Sequence, residues 1–121
     1  MIKLIKIPIW NRKVLLITPP NDILKAVRRF KLGRELINQA KTEPPAVGEM
    51  AFVYHCDSTG RYVLWFPNRN PRIDTIIHET SHITDYIMIF LGASKEKEAR
   101  AYTQEYLYNE VRKALRIATP R

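Results

Sequence analysis

The residues best suited to chemistry are five consecutive ones, His78-Glu79-Thr80-Ser81-His82, which form an H-E-x-x-H pattern. Residues four apart on a helix lie on the same face, one turn above each other, so both imidazoles can reach one metal ion. Glu79 follows His78 by about 100° around the helix axis and can accept a proton from a water molecule beside that ion. The pattern therefore predicts a zinc site with His78 and His82 as metal ligands and Glu79 as catalytic base.

The surroundings of this pattern favour a metal site over a chance occurrence. The chain has three histidines, and the pattern uses two of them. Apolar residues flank it at positions that can bury one side of a helix, namely Ile76, Ile77, Ile83, Ile87 and Phe90. The alternative is a pair of partly buried histidines next to a surface glutamate.

A catalytic zinc ion needs a third protein ligand and one open position. No histidine follows at the spacing H-E-x-x-H-x-x-G-x-x-H, so the next candidates are acidic residues of the last predicted helix. These are Glu96, Glu98, Glu105 and Glu110. A tight antiparallel pair of helices around Gly92 would bring a residue near Tyr102 or Thr103 opposite His82, which favours Glu105.

The order of H-E-x-x-H, about sixteen residues and then E-x-x-A-Y, starting at Glu98, is similar to the gluzincin metallopeptidases. It resembles most the small members of this group that phages and prophages encode. The resemblance implies a compact N-terminal sheet, an H-E-x-x-H helix and a glutamate helix. It also implies zinc-dependent hydrolysis of peptide bonds, with Glu98 as the third ligand. Tyr102, four residues after Glu98, would share its face and could donate a hydrogen bond to the reacting carbonyl oxygen, or else pack in the core.

Two further groups of polar residues lie on the predicted elements. Asp85 lies seven residues after His78 on the same stripe of the predicted helix, where it could orient a ligand histidine or remain a solvated acid. His55 and Cys56 are adjacent on a predicted strand. Because neighbouring strand residues point to opposite faces, these two are not expected to share a metal ion.

The pattern of apolar residues and turn residues predicts an α+β domain spanning residues 1–121. Two hairpins are expected to build a small antiparallel sheet that packs against the H-E-x-x-H helix and the glutamate-bearing C-terminal helix. The predicted strands are 2–10, 13–18, 50–56 and 61–66. The predicted helices are 22–41, 72–91 and one that Ser94 caps and that runs to about residue 117.

Composition limits the function classes. The net charge is +8, with the basic residues spread along the chain, which favours solubility over a dedicated nucleic-acid surface. Cys56 is the single cysteine, so an internal disulfide is excluded, and the N-terminus lacks the apolar run of a signal peptide. We therefore expect a cytoplasmic protein. The expected partner is an extended peptide that adds to a sheet edge, with residues 61–66 as the candidate edge.

Two other functions remain open from the sequence. The first is a metal-containing interaction module, without catalysis, that binds nucleic acid or a phage protein. The second is a metal-dependent hydrolase that acts on a substrate other than a peptide.

Overall fold

The computed structural model describes residues 1–46 and 48–116. Its elements are β1 (Ile2–Ile7), a short 3-10 turn (Pro8–Trp10), β2 (Arg12–Ile17), α1 (Ile23–Arg29), α2 (Arg34–Thr42), β3 (Phe52–Cys56), β4 (Arg61–Trp65), α3 (Ile73–Phe90) and α4 (Lys97–Leu115). This arrangement confirms the α+β class.

The four strands form one mixed sheet in the order β1-β2-β4-β3. The pairs β1–β2 and β3–β4 are antiparallel, as predicted, but β2 runs parallel to β4. The prediction of a purely antiparallel sheet is therefore wrong. The reason lies in the central strands, because Leu15, Leu16 and Ile17 are all fully buried and a strand covered on both faces is typical of parallel pairing.

A layer of helices covers each face of the sheet. Helices α3 and α4 pack on the face that carries Val14, Leu16, Tyr62 and Leu64. Helices α1 and α2 pack on the opposite face against the alternate strand residues, which are Leu15, Ile17, Tyr54, Cys56 and Val63. Successive residues of a strand point to opposite faces of the sheet, so alternate residues face the two helix layers.

The single helix predicted over residues 22–41 is two helices in the structure. Asp22 caps α1 by accepting a hydrogen bond from the Lys25 backbone N–H at 2.9 Å. The chain then leaves the helical conformation at Lys31, with φ of 54°, and at Gly33, with φ of 104°. Glycine adopts such positive φ values without the steric cost that a Cβ atom brings, so Gly33 separates the helices rather than weakening one.

The remaining helices lie close to their predicted positions. Helix α3 begins and ends one residue inside the prediction, whereas α4 begins at Lys97 with Glu96 rather than Ser94 as its N-terminal cap residue. The predicted end near residue 117 lies outside the described residues. Within residues 1–46 and 48–116, no helix combines the length and apolar character needed to cross a bilayer.

The packing of α3 can be tested with two isoleucines on the same helix. Ile83 is fully buried, whereas the side chain of Ile89 is 68% exposed. We expect Ile83→Ala to lower the free energy of unfolding by about 2–5 kcal/mol because it leaves a cavity under the sheet. Ile89→Ala should change it by about 0.5 kcal/mol or less. Chemical denaturation of both variants measures this, and equal losses would contradict the packing of α3 described here.

Candidate metal centre

The two histidines of the H-E-x-x-H pattern converge on the outer side of α3. Their Nε2 atoms are 3.0 Å apart and the two rings are nearly perpendicular, at 89°. Two imidazole nitrogens on one tetrahedral zinc ion are about 3.3 Å apart, from the usual Zn–N distance of about 2.0–2.1 Å. His78 and His82 therefore fit two positions of such an ion after a small separation of the rings.

The core packing of α3 determines the direction of these histidines. Ile76, Ile83 and Ile87 are fully buried between α3 and the sheet. His78 and His82 lie on the other side of the helix and are exposed to solvent. The two candidate metal ligands therefore lie outside the core that the apolar flanks form.

Glu79 lies at the side of α3 and is buried. Burial raises the pKa of its carboxyl group, and the nearby charge of Glu49 raises it further, while His78 and His82 act in the opposite direction. A carboxylate with a raised pKa is a better proton acceptor at neutral pH than an ordinary surface glutamate. Glu79 thus has the environment that its predicted role requires.

A groove of about 600 Å³ opens on the side of α3 nearest to Glu49. Its lining includes Glu49, Met50, Trp65 and Thr75, and Thr75 precedes Glu79 by one helical turn. The groove therefore connects the beginning of β3 with the helix that carries the H-E-x-x-H residues.

The structure places Glu98 and Tyr102 away from the histidine pair. Both line an apolar groove of about 520 Å³ between the end of β1 and α4, together with Trp10, Thr103 and Tyr106. Tyr102 is 74% exposed, so the interpretation of Tyr102 as an aromatic core residue is wrong. Across the described ranges 1–46 and 48–116, no three His, Cys, Asp or Glu side chains are grouped closely enough to hold a metal ion. The residues therefore fit a two-histidine site but do not form the three-ligand set in this arrangement.

The contacts between α3 and α4 explain the position of Glu98. Arg100 donates two hydrogen bonds to Asp85, at 2.9 and 2.7 Å, so Asp85 pairs with the neighbouring helix. Gln104 donates to the Thr80 hydroxyl at 2.8 Å and accepts from the Thr84 hydroxyl at 2.9 Å. The two helices thus form the tight antiparallel pair that, from the sequence, favours Glu105 over Glu98 as the third ligand.

Gln104 was not identified from the sequence as a residue of the site. It bridges two threonines on the helix that carries the histidines, and one of them, Thr80, lies within the H-E-x-x-H pattern. Little in the sequence could have identified it, because a helical threonine can satisfy its hydroxyl on the backbone carbonyl four residues earlier, as Thr80 does with Ile76 at 2.7 Å.

The proposed substrate edge at residues 61–66 is wrong, because β4 lies between β2 and β3 and has no free side. The open edge next to α3 is β3. The C-terminal part of this edge is closed at His55. The Gln39 amide donates to the His55 carbonyl at 2.8 Å and accepts from the His55 N–H at 3.2 Å. Val53 lies two residues before His55, so its backbone N–H and C=O also point away from β4, toward the open edge. A peptide could therefore add to β3 only before His55.

His55 and Cys56 point to opposite faces of the sheet, as predicted. The His55 ring stacks on Tyr86 of α3 at 3.9 Å, and its Nδ1 atom lies 3.2 Å from a carboxylate oxygen of Asp57. Cys56 is buried on the other face, where its thiol donates to Glu35 at 3.1 Å. The third histidine of the chain is thus held separately from His78 and His82.

Comparison of this chain with protein-family models, with curated proteins and with solved structures finds no match in any of the three.

Proposed function

We propose that this protein is a zinc-dependent hydrolase of the metallopeptidase type, in which His78 and His82 bind the metal and Glu79 is the general base. The observation that carries the proposal is the distance of 3.0 Å between the two Nε2 atoms on one helix. Glu79 is the residue that follows the first of them, and it is buried at the side of the same helix.

The residues of the chain divide the proposed reaction between them. Zinc would lower the pKa of a coordinated water and polarise the carbonyl group of the substrate. Glu79 would accept the proton from that water and deliver it to the leaving amine, and its raised pKa suits both transfers. The histidines would orient the ion, since α3 is fixed by its buried isoleucines.

An extended peptide is the proposed substrate. The open edge of β3 before His55 offers backbone hydrogen bonds for strand addition, and residues of the adjoining groove could receive side chains. The groove contains Glu49, whose negative charge would favour a basic side chain of the substrate.

Glu98 is the proposed third ligand, on the strength of the gluzincin-like motif. In the arrangement described here its side chain lines the groove beside Tyr102, so Glu98 could reach the histidines only if the first turn of α4 is repositioned when the metal binds. That turn is exposed at Lys97 and Glu98, and its first firm tie to α3 is the ion pair of Arg100 with Asp85.

A metal-containing interaction module is the second candidate. It is favoured by the exposure of both imidazoles on the outer side of α3, where a ligand from another molecule could complete the metal site. Such a module would bind zinc but would not depend on Glu79.

The metal site is tested by removing each histidine in turn. We expect His78→Ala and His82→Ala each to weaken zinc binding more than about 100-fold, since changes that only support a ligand already cost 10- to 100-fold. His55→Ala is the matched control and should leave the affinity unchanged, because His55 stacks on Tyr86 instead. Competition with a chelator measures the affinities. Unchanged zinc binding in both α3 variants would refute the proposed site.

The role of Glu79 is tested by a change that preserves its shape. Glu79→Gln should keep the fold and the bound zinc but reduce the hydrolysis of a fluorogenic peptide library by about 10²- to 10⁴-fold, because an amide cannot accept the proton. Glu43→Gln, at an exposed residue directly after α2, is the control and should keep full activity. A zinc-loaded protein with no activity before mutation would instead support the interaction module.

The third ligand is tested with the acidic residues of the last helix. Glu98→Ala should weaken zinc binding at least about tenfold, because a carboxylate completes the catalytic ligand set, whereas Glu96→Ala and Glu105→Ala should not. The same chelator competition compares the three variants. If Glu105→Ala alone releases the metal, Glu105 completes the site in the α3–α4 register described above, and the motif-based assignment of Glu98 fails.

A further inference from the structure

The helix layer on the face opposite α3 carries an unusual density of positive charge. The segment 23–34 contains five basic residues and no acidic one. The five, here named the cationic corner, are Lys25, Arg28, Arg29, Lys31 and Arg34. The spread of basic residues along the sequence hides this feature, because the fold gathers these five at the junction of α1 and α2.

The basic residues of α1 all lie on its outer side. Ile23, Ala26 and Val27 are buried against the sheet. Lys25, Arg28 and Arg29 are exposed, and their spacings of three and four residues place them next to each other on one helix face. Like charges at this spacing repel each other. Arg28 and Arg29, in the last turn of α1, also interact favourably with the helix dipole, whereas Lys25 lies outside that turn.

The break between α1 and α2 adds further positive groups to this face. Lys31 adopts a positive φ and Arg34 begins α2, and both are exposed. Arg61 of β4 reaches the same junction, where its guanidinium donates a hydrogen bond to the Lys31 carbonyl at 3.0 Å. The junction is thus held in place by a sixth basic side chain.

The nearby acids do not neutralise these charges. The Asp22 carboxylate accepts a hydrogen bond from the backbone at the beginning of α1, and the Glu35 carboxylate accepts one from Cys56. Three ion pairs occur in the part of the chain that the structure describes, at His55–Asp57, Arg72–Asp74 and Arg100–Asp85. None of them includes a residue of the cationic corner.

We propose that the cationic corner binds the phosphate backbone of double-stranded nucleic acid. Three of its five side chains are arginines, whose planar guanidinium groups match phosphate oxygens in pairs. Because the proposed contacts are to phosphates, which carry no sequence information, the expected binding is independent of sequence. The surface lies across the sheet from the H-E-x-x-H residues and does not depend on the proposed catalytic function.

An anionic membrane is the other polyanion that such a surface could meet, and the apolar residues decide between the two. A helix that lies in a membrane interface inserts exposed apolar side chains. On α1 and α2, Leu24, Phe30 and Ile37 instead pack against the buried cluster beneath them and are only partly accessible. The large exposed apolar residues of the described chain lie elsewhere, at Ile9, Met50, Ile77, Ile89, Phe90, Leu91, Tyr102 and Tyr106.

The test uses a fluorescein-labelled DNA duplex of unrelated sequence and measures anisotropy between 50 and 200 mM salt. The logarithm of the association constant should fall linearly with the logarithm of salt concentration, with a slope of about −3 to −4 for four phosphate contacts. The variant Arg28→Gln/Arg29→Gln/Arg34→Gln should bind at least about tenfold more weakly at 50 mM salt and reduce the slope by about 2 to 3.

The matched control removes three exposed lysines outside the corner, as Lys3→Gln/Lys95→Gln/Lys97→Gln, and so has the same net charge. It should keep the affinity and the slope of the unmodified protein, and circular dichroism should show the same fold for both variants. Equal losses in the two variants would overturn the proposal, because net charge alone would then explain the binding. The proposal also fails if the duplex is not bound, or if phosphatidylserine vesicles are bound through the same arginines in preference to the duplex.

Discussion

Helix α3 buries Ile76, Ile83 and Ile87 between itself and the sheet, and the direction of the histidine and glutamate side chains of the H-E-x-x-H pattern follows from this contact. A helix that packs through one stripe turns the opposite stripe to solvent, so His78 and His82 are exposed while Glu79 lies at the border. The same contact explains why the two imidazoles converge, since a rigid helix holds residues four apart at a fixed separation. The orientation of the two histidines therefore depends on core residues that lie on the opposite stripe of the helix.

The α3–α4 pair adds a second constraint. Gln104 joins Thr80 and Thr84, and Arg100 joins Asp85, so the register of the two helices is fixed by polar groups as well as by apolar packing. These contacts explain why Glu98 lies apart from the histidine pair. Any movement that would bring Glu98 to the histidine pair has to preserve or replace the ion pair of Arg100 with Asp85.

The sequence predicted the local features of the fold better than their combination. Turn residues and alternating apolar positions located both hairpins, and the helical spacing around His78 located α3 to within one residue at each end. The parallel contact of β2 with β4 could not be read in the same way, because it joins residues far apart in the sequence. Likewise, Gly33 was recognised as unfavourable for a helix, but only its φ of 104° shows that the helix ends there.

The same difference between local spacing and long-range packing applies to the candidate site. Spacing within one helix is sufficient to bring His78 and His82 together, because the geometry of a helix is fixed. The position of Glu98 depends instead on how two helices pack, and neither the motif nor the loop length determines that register. The edge strand was misassigned for a similar reason, since the exposure of a strand depends on its neighbours and not on its own residues.

The side chain of Gln39 at the edge of β3 has a consequence for association between molecules. An open edge strand exposes unpaired N–H and C=O groups and can pair with the same strand of another copy, which is a route to aggregation. By bonding to both backbone groups of His55, Gln39 imitates a single residue of a neighbouring strand. Two copies therefore cannot pair along the whole length of β3, and only the part before His55 keeps unpaired backbone groups. One glutamine of α2 thereby shortens the unpaired edge of β3.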